Sequence, residues 1–387
     1  MKIAFLSNGI HPFVVGGMQK HSFNLATQLV LDGNEVDLFH FVLEGEHLPT
    51  VKEVNKLFFN NYCKFNKIHC CYFPSSFYFP GHYLWNSYKY SIWIYNILFN
   101  ELGNYDFIYS KGFSSWKLLQ TRKKVKSNFK IGVNFHGYEM FQYSLNPKMK
   151  IQHLMLRPFV KMINRKADFI FSYGSKITEI IANLGIEKNK ILEVPSAIKS
   201  NWINKKKLSI SNNIKFLFVG RFERRKGIQE INKAILNLSN NNLNYEFHFV
   251  GSIPLESRLN SEDNRVIYHG EVINDTAKKN IYDNCDVLLC PSYSEGMPNV
   301  ILEAMARGLI IIATDVGAVN LLVSDKNGIL IKSPSLKNIT NAIKSLISCD
   351  IKTLLEMKTS SISKIENLYT WEKIVNCIYD KISLSSK

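Results

Sequence analysis

Short apolar runs alternate with helix-length stretches along this chain, and the alternation starts afresh after Lys205-Lys206-Lys207. In the first series residues 3–6, 36–41, 107–109, 131–135, 169–172 and 191–194 read as strands, with helical stretches such as 17–31 and 176–184 between them. In the second series the strands fall at 214–219, 247–250, 266–269, 287–290 and 310–313. These runs are apolar throughout rather than at every second position. Both faces are therefore covered, as in parallel sheets crossed over by helices. A chain of 387 residues also exceeds what one core usually holds, about 250–300 residues. Two series separated by the polar stretch 200–213 predict an α/β protein of two Rossmann-like, doubly wound parallel-sheet domains facing across a cleft. The domains are placed at 1–198 and 199–369. Ligands of such sheets bind beyond the carboxyl ends of the strands, which makes that cleft the expected site.

Lysine and arginine outnumber the acids 48 to 32, for a net charge of +16. Between Lys111 and Lys166 stand thirteen Lys or Arg, with Glu139 as the only acid. Such a block suits an anionic partner: nucleic acid, a phosphorylated substrate or an anionic membrane face. A solvated surface in a chain rich in Lys and Asn explains it as well. Residues 70–99 break the rhythm of the first series with twelve aromatic side chains, from Tyr72 to Phe99. Tyr and Trp suit boundaries between water and apolar matter, so this stretch reads equally as an acceptor pocket, a membrane-interface patch or a core-facing insertion. The seven cysteines include no Cys-x-x-Cys pair and mostly sit among apolar residues, as small buried hydrophobes in a reducing compartment would. The first residues are interrupted too soon for a signal peptide. No apolar run nears the ~20 residues of a spanning helix. A cytoplasmic protein is expected, able to rest on the inner face of the cytoplasmic membrane.

The stretch Glu295-Gly296-Met297-Pro298-Asn299-Val300-Ile301-Leu302-Glu303 carries the clearest chemistry. It follows a buried-strand pattern and opens an apolar helix, and Pro298 suits a helix start because its missing N–H costs nothing there. Glu295 should sit on the loop at the helix N-terminus, with Glu303 one to two turns inside. Backbone N–H groups and the dipole at that end favour an anion. The turn Gly220-Arg221-Phe222-Glu223-Arg224-Arg225-Lys226-Gly227 also links a strand to a helix, and Arg221 and Lys226 could converge on a diphosphate. His136-Gly137 ends a strand. Gly16-Gly17 precedes a helix, where glycines let backbone amides approach a ligand; a plain turn accounts for that pair equally. There is no Gly-x-Gly-x-x-Gly and no Walker loop, and neither Asp-x-Asp nor a His/Cys cluster suggests a metal.

Taken in order, these residues resemble the retaining glycosyltransferases of the GT-B fold, in particular family 4. Gly16-Gly17, His136-Gly137, Ala167-Asp168, Lys190 to Pro195, Gly220-Arg221 with Lys226-Gly227, Glu295 to Glu303 and Asn327-Gly328 each resemble a family motif, nearly end to end. Tyr369-Thr370-Trp371 resembles the start of the family's last helix, which implies that 370–387 crosses back onto the first domain. The resemblance implies sugar transfer from a nucleotide diphosphate sugar with retention of configuration, without metal or other cofactor. It assigns Glu303 to the ribose, Arg221 and Lys226 to the departing diphosphate, Glu295 to the sugar hydroxyls and His136 to the donor sugar. Gly16, Gly17, Gly220, Gly296, Met297, Pro298, Asn299 and Val300 complete the donor contacts. The implied acceptor is a glycan or lipid-linked glycan on the first domain, at an anionic membrane surface, in surface polysaccharide or lipopolysaccharide synthesis. UDP is one of several candidate donor bases, and nucleic acid is not an expected partner. The chain departs from the family at Pro195-Ser196-Ala197, where Pro-Asn-Gly is common, and at Gly317-Ala318, where a second glycine and a glutamate are common. The first departure should mainly affect the hinge. A nucleotide-sugar epimerase, a phosphorylase and a non-catalytic glycan- or membrane-binding relative share the fold and stand as alternatives.

Overall fold

A computed structural model describes residues 1–58, 63–122, 129–238, 244–259 and 264–384. The chain divides into two units, Met1–Pro195 with Trp371–Lys387, and Ser196–Thr370.

Among the described residues the first unit carries seven strands: β1 (Lys2–Leu6), β2 (Glu35–Val42), β3 (Lys67–Tyr72), β4 (Phe107–Lys111), β5 (Lys130–Asn134), β6 (Phe169–Ser172) and β7 (Ile191–Glu193). They form one parallel sheet in the order β3-β2-β1-β4-β5-β6-β7. Its helices are α1 (Gly17–Leu31), α2 (Val51–Asn55), α3 (His82–Leu98), α4 (Trp116–Thr121), α5 (Pro147–Lys166) and α6 (Lys176–Asn183). The second unit carries β8 (Ile214–Val219), β9 (Tyr245–Val250), β10 (Val266–Gly270), β11 (Val287–Cys290), β12 (Ile310–Thr314) and β13 (Gly328–Ile331). These are again parallel, in the order β10-β9-β8-β11-β12-β13. Its helices are α7 (Ile228–Leu238), α8 (Asp275–Asp283), α9 (Asn299–Ala306), α10 (Val319–Leu322), α11 (Leu336–Ile347) and α12 (Ile351–Leu368). The last helix, α13 (Trp371–Leu384), belongs to the first unit. There the Trp371 ring meets His21 edge-on at 5.1 Å and Asn34 bonds the Tyr379 hydroxyl.

Each sheet is buried on both faces because its strands offer apolar side chains to both. Ile310, Ile311 and Ile312 are all fully buried, and so are Phe5, Ile131 and Val133. Aromatic pairs tie neighbouring strands, with Phe5 stacked on Tyr109 at 5.0 Å and Phe216 on Phe247 at 5.1 Å. Helix starts follow short polar caps: Asn146 accepts from the Met149 amide at 2.8 Å ahead of Pro147, and Asn274 from the Ala277 amide at 2.9 Å.

Two strands differ from the sequence expectation. β3 is an edge strand of mixed polarity, half-buried along most of its length, so it lacks the apolar signature of its neighbours. β13 opens on a glycine and spans four residues. Residues 70–99 therefore do not interrupt the winding; they hold the end of β3, a loop and α3. Their aromatics divide between core and surface: Tyr90 is buried and donates to Ser7 O at 2.8 Å, whereas Phe77 and Tyr78 are exposed. Among the described residues no helix is long and apolar enough to cross a membrane.

Candidate active site

In each sheet the strand order reverses once, between β1 and β4 and between β8 and β11, and the carboxyl side of such a point is where ligands of these sheets lodge. In the second unit the loops after β8 and β11 meet there. Arg224–Lys226 form a single 3-10 turn ended by Gly227 at φ +75°. A Cβ at position 227 would lie 2.2 Å from Pro291 O, so only glycine lets the two loops touch. The Tyr293 amide then donates to Arg225 O at 2.8 Å.

This contact sets the side chains. Lys226 Nζ donates to Glu295 Oε1 at 2.6 Å, and Arg225 Nη1 lies 3.6 Å from Glu295 Oε2 while donating to Ser294 O at 3.3 Å. Glu295 is only 6% exposed. Burial opposes its ionisation, but Lys226 and Arg225 outweigh that and hold the carboxyl below the ordinary range. A third segment pins the same place. Gly317, at φ +56°, would put a Cβ 2.2 Å from Glu295 O and 2.5 Å from Gly296 O, and the Ala318 amide donates to Gly296 O at 2.8 Å. The loop ahead of α9 is braced from the start of the unit as well. The Ser196 amide donates to Met297 Sδ at 3.1 Å, and Ser196 Oγ to Asn299 Oδ1 at 3.2 Å. Ser196 is thus a support of the Met297–Asn299 segment, not merely part of a hinge.

Pro298 caps α9, and Asn299 and Val300 are its first residues. Glu303 lies one turn inside, buried, where its Oε2 accepts from Lys278 Nζ at 2.7 Å and from the Tyr282 hydroxyl at 3.1 Å. Burial, and then the Glu303 charge, push the Tyr282 hydroxyl far above its usual range, so Tyr282 stays a donor. Gly220 follows β8, but the neighbouring Arg221 does not meet Lys226. Its side chain is 71% exposed and its Nη2 pairs with Glu223 Oε1 at 2.8 Å. Glu223 Oε2 accepts from Arg225 Nε at 2.8 Å. Arg221, Glu223, Arg225, Glu295 and Lys226 form a row of alternating charge. Arg224 leaves this row, forking onto Glu230 at 2.8 and 2.6 Å over the Tyr293 ring.

The first unit gathers a second set. His136 follows β5 at φ +58°, its amide donating to Asn134 Oδ1 at 2.6 Å and its Nδ1 2.7 Å from the Tyr173 hydroxyl. Burial, then Lys111, hold its imidazole well below the usual value, so it is neutral at pH 7. Its ring meets that of His21 edge-on at 5.5 Å. His21 stands on α1, the helix that Gly16 caps and Gly17 begins, so the glycine pair and His136 share one end of this unit. Lys111, the last residue of β4, is fully buried, with Nζ 3.2 Å from His21 Nδ1. Burial holds that amine well below the lysine range.

Sequence reasoning did not single out Arg225, Glu223, Ser196, Lys278, Tyr282, His21 or Lys111 for the site. Lys278 and Tyr282 had a readable signal, four residues apart on one helix face. Lys111, like His136, ends or follows a strand. Among the described residues no group of three or more His, Cys, Asp or Glu is placed to hold a metal ion.

Two family models match the chain in tandem: Glycosyltransferase Family 4 over residues 15–201 and Glycosyl transferases group 1 over residues 213–349. The chain belongs to these glycosyltransferases. Among curated relatives of this family, TuaC of Bacillus subtilis, whose name places it in teichuronic acid biosynthesis, is 37% identical over 127 residues, 33% of this chain and 31% of that protein. The N,N'-diacetylbacillosaminyl-diphospho-undecaprenol alpha-1,3-N-acetylgalactosaminyltransferase of Campylobacter jejuni is 23% identical over 214 residues, 54% of this chain and 56% of that one. The matches thus span a third to somewhat over half of these glycosyltransferases' own lengths. HepE from Anabaena, solved in complex with UDP, superposes with TM-score 0.69 at 18% identity, covering 99% of this chain and all of that one. The two parallel α/β units are those of the GT-B fold.

Proposed function

We propose that this glycosyltransferase moves a sugar from a nucleotide diphosphate sugar to a glycan or lipid-linked acceptor, retaining the anomeric configuration, in surface polysaccharide or lipopolysaccharide assembly. The observation that carries the reading is the buried Lys226–Glu295 pair at the strand-order reversal of the second unit, one loop ahead of the α9 N-terminus. Lys226, the α9 N-terminus from Gly296 to Val300 and Arg221 offer positive charge where a departing diphosphate gains negative charge. Arg221 exchanges Glu223 for that anion. Glu295, fixed on two sides, receives sugar hydroxyls, and Glu303, held by Lys278 and Tyr282, receives the ribose. His136, neutral and oriented by Tyr173, offers an uncharged polar group at the ligand side of the first unit. No metal is assigned to the site, and Arg and Lys carry the neutralisation. UDP leads the donor candidates because HepE, a structural neighbour, was solved in complex with it. A lipid-linked acceptor is favoured by the undecaprenol diphosphate in the Campylobacter relative's name, and it would bring the chain to an anionic membrane face.

Calorimetric titration with UDP, GDP, ADP and dTDP and their sugars tests the donor site. One base should bind, and Glu303→Ala should weaken it about tenfold or more, the scale of one lost charge-assisted hydrogen bond. Equal binding by that variant, or no nucleotide bound by well-folded protein, contradicts the assignment. A non-catalytic relative would bind the nucleotide sugar and never release the nucleotide. An epimerase would return free sugar nucleotide without acceptor, and a phosphorylase would need inorganic phosphate.

A further inference from the structure

One outer face of the first unit is apolar where water should be. Phe77 is 95% exposed and its neighbours Tyr78 and Phe79 are also exposed, on the loop that follows the carboxyl end of β3 and leads into α3. Gly81, just before α3, lies against the Met155 side chain of α5. That loop and that helix are therefore contiguous. On α5 the inner face is fixed by Val160 and Ile163, both buried, and by Phe159 against Trp116 at 5.1 Å. The outer face shows Ile151, 60% exposed, with Leu154 and Pro158 exposed at one helical stripe. Singly exposed apolar residues mean little, but a contiguous patch marks something that covers it.

Charge says what covers it. Neither the loop from Tyr72 to Gly81, nor α3, nor α5 contains an Asp or Glu, while α5 alone carries six Lys or Arg. Lys148 and Lys150 flank the stripe at its start, Arg165 and Lys166 lie exposed at its end, and exposed Lys89 sits over the exposed Trp85 ring at 5.4 Å. Apolar and aromatic side chains among lysines, on a loop and two helices that themselves carry no carboxylate, suit the interface of an anionic bilayer: the rings enter the headgroup level while the lysines meet lipid phosphates. A protein partner of ordinary surface would leave so one-sided a charge unmatched.

We propose that the 74–81 loop and the outer stripe of α5 form one docking face that seats this chain on an anionic lipid surface. The face follows the carboxyl ends of β3 and β5, the side of the sheet on which ligands lodge, so docking would bring a lipid-linked substrate to the ligand side of the first unit. This rests on the reading of a membrane-borne acceptor.

Co-sedimentation of the full chain with vesicles tests it. The chain should pellet with phosphatidylglycerol-containing vesicles at low salt, remain free with phosphatidylcholine alone, and be released at high salt. Phe77→Ser with Tyr78→Ser, and separately Lys148→Glu with Lys150→Glu, should each lower the partition about tenfold or more. Lys337→Glu with Lys352→Glu, which removes the same charge from the second unit, should leave it nearly unchanged. All these positions are exposed, and unchanged melting confirms the fold. Wild-type partition by both face variants overturns the face while leaving the membrane reading intact. Absence of wild-type binding overturns both, without touching the donor site. Concentration-dependent self-association lost in Phe77→Ser with Tyr78→Ser, without vesicle binding, would assign the face to a second copy and overturn the proposal.

Discussion

At the residue scale, the two units handle buried charge in opposite ways. Glu295 keeps its charge because Lys226 and Arg225 face it. Burial instead holds the Lys111 amine below the lysine range, with no carboxylate among the partners that the structure shows for it: His21, Tyr109 and the neighbouring imidazole of His136. A folded-state value below the ordinary lysine value means that the unfolded chain binds more protons across the interval between them. Stability then rises with pH through that interval and is lowest on its acid side. Lys111→Met, similar in length and uncharged, should raise the thermal midpoint near neutral pH by roughly 2–4 °C, the shift expected from about 1 kcal/mol in a unit of this size. The gap to wild type should close as pH climbs toward the lysine range. Parallel melting curves for the two proteins across that span would show that the Lys111 amine is charged in the fold.

At the scale of elements, most strands were legible because buried parallel strands are apolar at every position; β6, β8 and β11 match their expected bounds residue for residue. β3 and β13 were not, since an edge strand can stay polar and a four-residue strand opened by glycine has no pattern to detect. In the site, Glu295, Lys226 and Glu303 were legible from spacing next to a strand end and a helix start. Their partners were not: Arg225, Lys278 and Ser196 reach them through loop and helix packing that spacing in sequence does not encode. Gly317 shows the difference. In the sequence it merely precedes a departure from a family pattern, Ala318 standing where a second glycine is common; in the fold it is the floor under the Glu295–Gly296 backbone. Gly317→Ala must displace that backbone, because both close contacts are to main-chain oxygens, and it also strains a positive-φ position. Turnover should fall about tenfold to a hundredfold while nucleotide affinity, which we assign mainly to Glu303, changes little. A variant with unaltered turnover would mean that Glu295 is not held in a reactive position.

For the whole molecule, a GT-B fold, which many chemistries share, holds the buried Lys226–Glu295 pair, to which we assign the reaction. The measurement that bears on it most directly is single-turnover release of nucleotide from the bound donor sugar, comparing wild type with Lys226→Ala. If Lys226 stabilises the departing diphosphate, release should slow by ~10²–10³ with the fold intact. Release at the wild-type rate from Lys226→Ala would contradict the account, because the pair it places at the reacting centre would then have no part in the reaction.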